Sequence, residues 1–162
     1  MPGYELKNKQ NLSINISKAD IMIIQQLSIF LENKSGRLTD VLEVLGSENI
    51  RITALSVADT AEFGILRVIV SEPEKAKELL KKNAFTVNIT EVISVCAPDE
   101  AKHYAKVLKI LSDRNISVEY TYAFSVEEKS IIILKCSNNL DAIGALKSHE
   151  VELLTSSDLY KI

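Results

Sequence analysis

"VLEVLGSENI" (41–50) and "VLKILSDRNI" (107–116) are one segment written twice, 66 residues apart. The register continues without a gap. Ile65 falls on Ile131, Ser71 on Ser137, Ala76 on Ala142, and Leu80-Lys81 on Leu146-Lys147. Elsewhere residue class is kept, as with Ile29 and Val95, Ile52 and Val118, or Val87 and Leu153. A chance match does not hold one register over most of a chain, so the sequence is a duplication.

Each copy reads alike. In the first, "IIQQLSIF" (23–30) places Leu27 and Ile29 on one face of a strand. "GRLTDVLEVLGSEN" carries Leu38, Val41, Leu42 and Leu45 at i, i+3, i+4 and i+7, the stripe of an amphipathic helix. "IRITALSVA" (50–58) alternates and is β-branched, and "GILRVIV" (64–70) follows a short polar connection, which predicts a hairpin. Pro73 marks a helix start, "EKAKELLKKN" supplies Ala76, Leu79 and Leu80, and "FTVNI" (85–89) alternates again. The order β-α-β-β-α-β with right-handed crossovers gives a four-stranded antiparallel sheet with both helices on one face. The fold expected is therefore α+β, with two ferredoxin-like units in tandem. The domains are read as 22–91 and 92–162 behind a polar extension, 1–21, whose "LSINI" alternation could add an edge strand. A unit this small is marginal alone and leaves strand edges open, which favours a homodimer.

Bulk properties exclude several classes. The 162 residues are 46% hydrophobic and 25% charged, with net charge −3. No basic cluster offers a nucleic-acid footprint. An RNA-recognition motif shares the element order but needs exposed aromatics, and "GILRVIV" and "SIIILKC" have none. No apolar run approaches a membrane span, and no apolar leader segment opens the sequence. A reduced, cytoplasmic setting is the expectation. Cys96, His103, Cys136 and His149 lack metal-ligand spacing, and no nucleophile elbow, phosphate loop or zinc-protease pattern occurs, so neither a metal, a cofactor nor an enzyme activity is expected.

The strand-to-helix turn "LENKSGRL" (31–38) carries the chemistry. Gly36 permits φ > 0 and close approach of a ligand to the backbone. The free N–H groups opening the helix favour an anion. Arg37 could add a charge-assisted bond, and Asn33 offers both a donor and an acceptor. The structural alternative is that Ser35 caps the helix, Gly36 relieves a turn, and Arg37 is simply solvated. Leu38 reads more as core than as pocket. The second copy makes the same turn with "PDEAKHY" (98–104), placing Lys102 at the Gly36 position and His103 at the Arg37 position. Turning alone therefore requires neither glycine nor arginine. Asp99 and Glu100 place acid where a carboxylate would dock. On the second strands, Ser56 and Asp59 stand near the first turn's side, where Asp59 could meet an amine. Tyr120, Tyr122 and Phe124 share a face by period two. Their parity matches Ile116 and Val118, which favours packing in the core or at an interface, with a ligand wall at Tyr120 and Tyr122 as the other reading.

"NKSGRL" and "ENIRI", within tandem β-α-β-β-α-β units, resemble ACT domains, which typically read Asn-x-Pro-Gly-x-Leu at this turn; Ser35 replaces the proline. The resemblance covers roughly residues 23–160. It implies a regulatory module that binds an amino acid, or a similar small anionic metabolite, at a domain or subunit interface. It also implies that the turn residues Asn33, Ser35, Gly36, Arg37 and Leu38 contact the ligand. With no catalytic domain in the sequence, any regulated metabolic enzyme would be a separate protein. The competing expectation is a ligand-independent module that pairs its sheet edges with a partner.

Overall fold

The computed structural model describes residues 21–59 and 62–162. The extension expected over 1–21, with its possible edge strand, lies outside the described residues except for Ile21.

Contacts divide the chain into two compact units. Of the described residues, one holds 25–59 and 62–91 with 159–162, and the other holds 21–24 with 92–158. In the first, β1 (Ile24–Glu32) leads to α1 (Arg37–Ser47). Then follow β2 (Ile52–Asp59), β3 (Phe63–Val70), α2 (Pro73–Lys82) and the opening of β4 (Thr86–Pro98). The strand order is β2-β3-β1-β4, with β3 antiparallel to both β1 and β2. Leu27, Ile29 and Leu31 of β1 alternate onto the face that meets the helices. They pack with Val41, Leu45, Leu66, Val68 and Leu80 in one buried cluster.

In the second unit the rest of β4 is followed by α3 (Ala101–Ser112), β5 (Val118–Val126), β6 (Lys129–Cys136), α4 (Asn139–Ser148) and β7 (Glu152–Leu154). A short helix, α5, spans Ser156–Leu159. The order is β7-β4-β6-β5, all antiparallel. Val95, Val107, Leu111, Ile132, Leu134 and Leu146 build its core. The expected fold class is thus present in both copies. The closing strand of copy one and the opening strand of copy two, expected separately, are one 13-residue strand, β4.

The repeat extends to backbone detail. Each of α1 to α4 stops with a residue at positive φ: Asn49 (54°), Ala84 (63°), Asn115 (56°) and Glu150 (57°). At each stop the same two bonds close. Asn49 N donates to Gly46 O and Ile50 N to Leu45 O; Asn115 N donates to Ser112 O and Ile116 N to Leu111 O. The pairs ending α2 and α4 match, with Phe85 N bonded to Leu80 O and Val151 N to Leu146 O. This is the Schellman closure, in which the apolar residue after the left-handed one packs back on the helix.

Both outer strands carry a bulge at equivalent places, between Ile52 and Ala54 and between Val118 and Tyr120. The bulge corrects the parity expected for the tyrosines. Val118 packs with the helix-side core, but the extra residue rotates the strand behind it. Tyr122 and Phe124 then oppose Ile133 and Ile131, on the face away from the helices. Tyr120 and Tyr122 are half-buried there, rather than continuing the core of Ile116 and Val118. Among the described residues no helix is long and apolar enough to cross a membrane.

Candidate functional site at the first strand-to-helix turn

The turn that follows β1 is built by a left-handed glycine. Gly36 has φ 88° and ψ −16° and stands as the N-cap of α1. Its own carbonyl accepts from Asp40 N at 2.9 Å. Ser35, a candidate cap by sequence, does not cap, because no side chain bonds the helix N-terminus. The left-handed step moves that role onto a residue with no side chain. Ahead of it Lys34 N donates to Glu32 O at 2.7 Å, and Asn33 N reaches Glu62 O at 3.4 Å, which ties the turn to the β2–β3 hairpin.

Arg37, the first helical residue, is restrained rather than simply solvated. One Nη lies 3.3 Å from an Asp40 carboxylate oxygen, and Cζ stands 4.8 Å from the centre of the Phe85 ring. A carboxylate and an aromatic face both favour a guanidinium, which offsets its position at the positive end of the helix dipole. Its Nε is buried and has no hydrogen-bond partner. Beside it Glu32 accepts an ion pair from Lys34 at 2.8 Å. The Lys34 hydrogen bond, then its charge, holds the Glu32 carboxyl below the ordinary carboxylate range. A cavity of about 180 Å³ lies among these groups, lined by Phe30, Glu32, Arg37, Phe63 and Phe85 with their neighbours Leu31, Ala84 and Thr86.

The sequence candidates divide over the structure. Asn33, Ser35 and Gly36 are exposed in the turn. Leu38, expected in the core, is 37% exposed; Val41 and Leu45 carry the buried stripe, because the helix starts at Arg37 and its first turn overhangs the sheet. Asp59 stands at the same end of the sheet, on a rung with Gly64 and Leu31. Two strand spacings put it roughly 10 Å from β1. Ser56 opposes Arg67 on the face away from the helices. Tyr120 and Tyr122 belong to the other unit. The residues that sequence reading missed are Glu32, Phe30, Phe63 and Phe85. A signal existed: the chain has four phenylalanines, and at 66 residues' offset these three meet Cys96, Lys129 and Val151.

The second turn is different. Glu100, in extended conformation (φ −82°, ψ 137°), caps a helix that begins at Ala101, two residues earlier in the repeat than α1. Lys102, at the glycine position, is helical and pairs with Glu100 at 2.7 Å. A cavity of about 410 Å³ beside this turn is lined by Pro98, Asp99, Glu100, Tyr104, Leu108 and Ser130, so its charges are acidic. Among the described residues no group of three or more His, Cys, Asp or Glu side chains is placed to hold a metal. Burial raises both thiols above their usual value, Cys136 to about 11.

Two fused β-α-β-β-α-β units, each with a cavity beside its strand-to-helix turn, define a tandem ACT architecture. The sequence profile of the ACT domain pair matches residues 22–162, and the chain belongs to that family. It is similar to a protein of Bacteroides thetaiotaomicron of known crystal structure, with 50% identity and a TM-score of 0.83, over 87% of this chain and 98% of that one. The ligand-free regulatory subunit of aspartate kinase from Thermus thermophilus is 13% identical, with a TM-score of 0.59 over 76% of this chain and 91% of that one. The corresponding subunit from Thermus flavus is 12% identical, with a TM-score of 0.54 over 77% and 92%. At such identities the likeness is one of fold. No curated protein matches the chain.

Proposed function

We propose that this ACT domain pair is a regulatory protein that senses a free amino acid, or a similar small anionic metabolite, at the first turn. It works in the cytoplasm without catalysing a reaction and modulates a separate metabolic enzyme. The observation that carries this reading is the Arg37 guanidinium lining a cavity at a helix N-terminus. A guanidinium and the free N–H groups of a helix start both suit an α-carboxylate. Gly36 leaves the backbone open for that approach: an added Cβ would meet nothing within 4 Å, so its role lies in the left-handed φ. Asn33, Ser35 and Leu38 are exposed in the same turn but outside the lining of the cavity, so any contact they make with a ligand is at its rim.

The homodimer is proposed at the outer strand β2. Leu55 and Val57 are each 47% exposed there, and Leu38 of α1 is exposed as well. Such an edge also supports the second reading, a ligand-independent module that pairs with its partner through β2. A thermal-shift screen of the proteinogenic amino acids separates the two. Ligand at a hundred times its dissociation constant adds about 2.7 kcal/mol, a rise on the order of 5–10 °C for a chain of this size. Arg37→Gln is expected to abolish the rise while the variant still melts cooperatively. A flat screen at millimolar concentrations overturns the sensing reading.

A further inference from the structure

We propose that the ligand of the first turn is an amino acid with an uncharged, apolar side chain, held with its carboxylate on Arg37, its ammonium on Glu32 and its side chain against Phe30, Phe63 and Phe85. This rests on the amino-acid reading above and narrows it.

Charge accounting carries the inference. Glu32 and Arg37 are the charged residues that line the cavity, one of each sign. That matches the two charges every free amino acid carries and leaves no third charge for a side chain. A lysine or glutamate side chain would enter without a counter-ion, against phenyl rings, at the cost of desolvating a charge. Both cavity charges are currently satisfied from the solvent side, Glu32 by Lys34 and Arg37 by Asp40. Exposed pairs of this kind are weak, so a ligand can replace or share them. Lys34 also keeps Glu32 ionised, the form an ammonium needs.

The apolar wall is specific to this copy. Glu32 opposes Phe63, and Phe30 opposes Ile65, so the two phenylalanines are diagonal neighbours on one sheet face. They are 46% and 51% exposed, among the most exposed large apolar side chains of the molecule. Phe85 closes the third side, placed by the helix stop of α2. The second copy, which lacks the arginine, also lacks all three rings, having Cys96, Lys129 and Val151. The cation and the aromatic wall are therefore present together in one copy and absent together in the other.

Calorimetric titration of the full chain with L-leucine, L-phenylalanine, L-lysine and L-glutamate tests the assignment. Phe63→Lys and Phe30→Cys, the residues of the second copy, serve as variants. Leucine or phenylalanine is expected to bind at least tenfold more tightly than lysine and glutamate. Each variant is expected to lower that affinity tenfold or more with the melting temperature nearly unchanged; two variants at exposed positions guard against a folding defect in either one. Lysine or glutamate binding as tightly as leucine overturns the side-chain assignment while the amino-acid reading stands. Unchanged leucine affinity in both variants overturns the placement of the wall. Wild-type protein that binds no amino acid removes the amino-acid reading and this inference together.

Discussion

The two strand-to-helix turns began as the same segment and now solve the same connection differently. The second uses an ordinary start: an extended cap at Glu100, then helix from Ala101. The first spends a left-handed glycine to postpone its helix by two residues, to Arg37. Around the postponed start stand a guanidinium, a carboxylate and three phenyl rings; around the ordinary start stand acids and Tyr104. Much beneath is shared, including helix stops, bulges and the Ser71–Arg51 and Ser137–Ser117 backbone bonds. The difference teaches that the irregularity of the first turn does not come from the fold, which closes without it.

The outer strands offer the sharpest way to break this contrast. In the second copy the Tyr104 and Thr121 hydroxyls lie 2.6 Å apart, closing α3 onto β5. In the first copy the equivalent residues, Leu38 and Leu55, are both exposed. Leu55→Lys is expected to convert a dimer to monomer in sedimentation equilibrium, and Thr121→Lys to leave the dimer intact. A dimer that survives Leu55→Lys places the interface elsewhere.

A smaller effect is expected at the glycine. Gly36→Lys imports the second copy's residue into a left-handed position at a cost of about 1–2 kcal/mol. The melting temperature should fall by about 2–8 °C. The response to amino acids should vanish, whether the turn stays strained or rewinds into the earlier start. A full response in this variant would mean that the conformation of the turn does not matter to the ligand.

The smallest effect concerns the buried thiols. Burial raises the Cys136 pKa from 9.0 to about 11. The folded state therefore keeps a proton that the unfolded chain loses. The stability tied to that proton is fully present below pH 9 and is lost as pH rises toward 11. The first copy has Val70 at this position, so Cys136→Val should flatten the alkaline part of a stability profile measured by urea melts from pH 8 to 11. An unchanged slope would assign the alkaline loss to other groups.

Much of this was legible in the sequence. The duplication gave away the element order, since one register accounted for every element of both copies except the short closing helix α5. Alternation and stripe identified Leu27, Ile29, Val41 and Leu45 as core, and all are buried. Gly36 and Arg37 stood out because the second copy lacks them. Three features were hidden for physical reasons. Period-two reasoning carried Tyr120 and Tyr122 onto the helix-side face, because the bulge between Val118 and Tyr120 leaves the alternation of the sequence unbroken. The helix stops at Ala84 and Glu150 use residues with no left-handed preference, so Phe85 gave no sign that it would fold back beneath Arg37. Phe30 and Phe63 looked like ordinary strand residues, because each lies one step off the buried parity of its strand.

The paired bulges have a consequence for how the protein survives at high concentration. An outermost strand is a template onto which a foreign strand can add, and a flat one can propagate without limit toward fibrils. Each outer strand here is twisted out of register near its start, at Ile52 and at Val118. An added strand could follow the ladder only beyond that kink, over a short and locally twisted run. Such a run accommodates one partner strand but is a poor seed for a growing stack, which makes the edge suited to finite assembly.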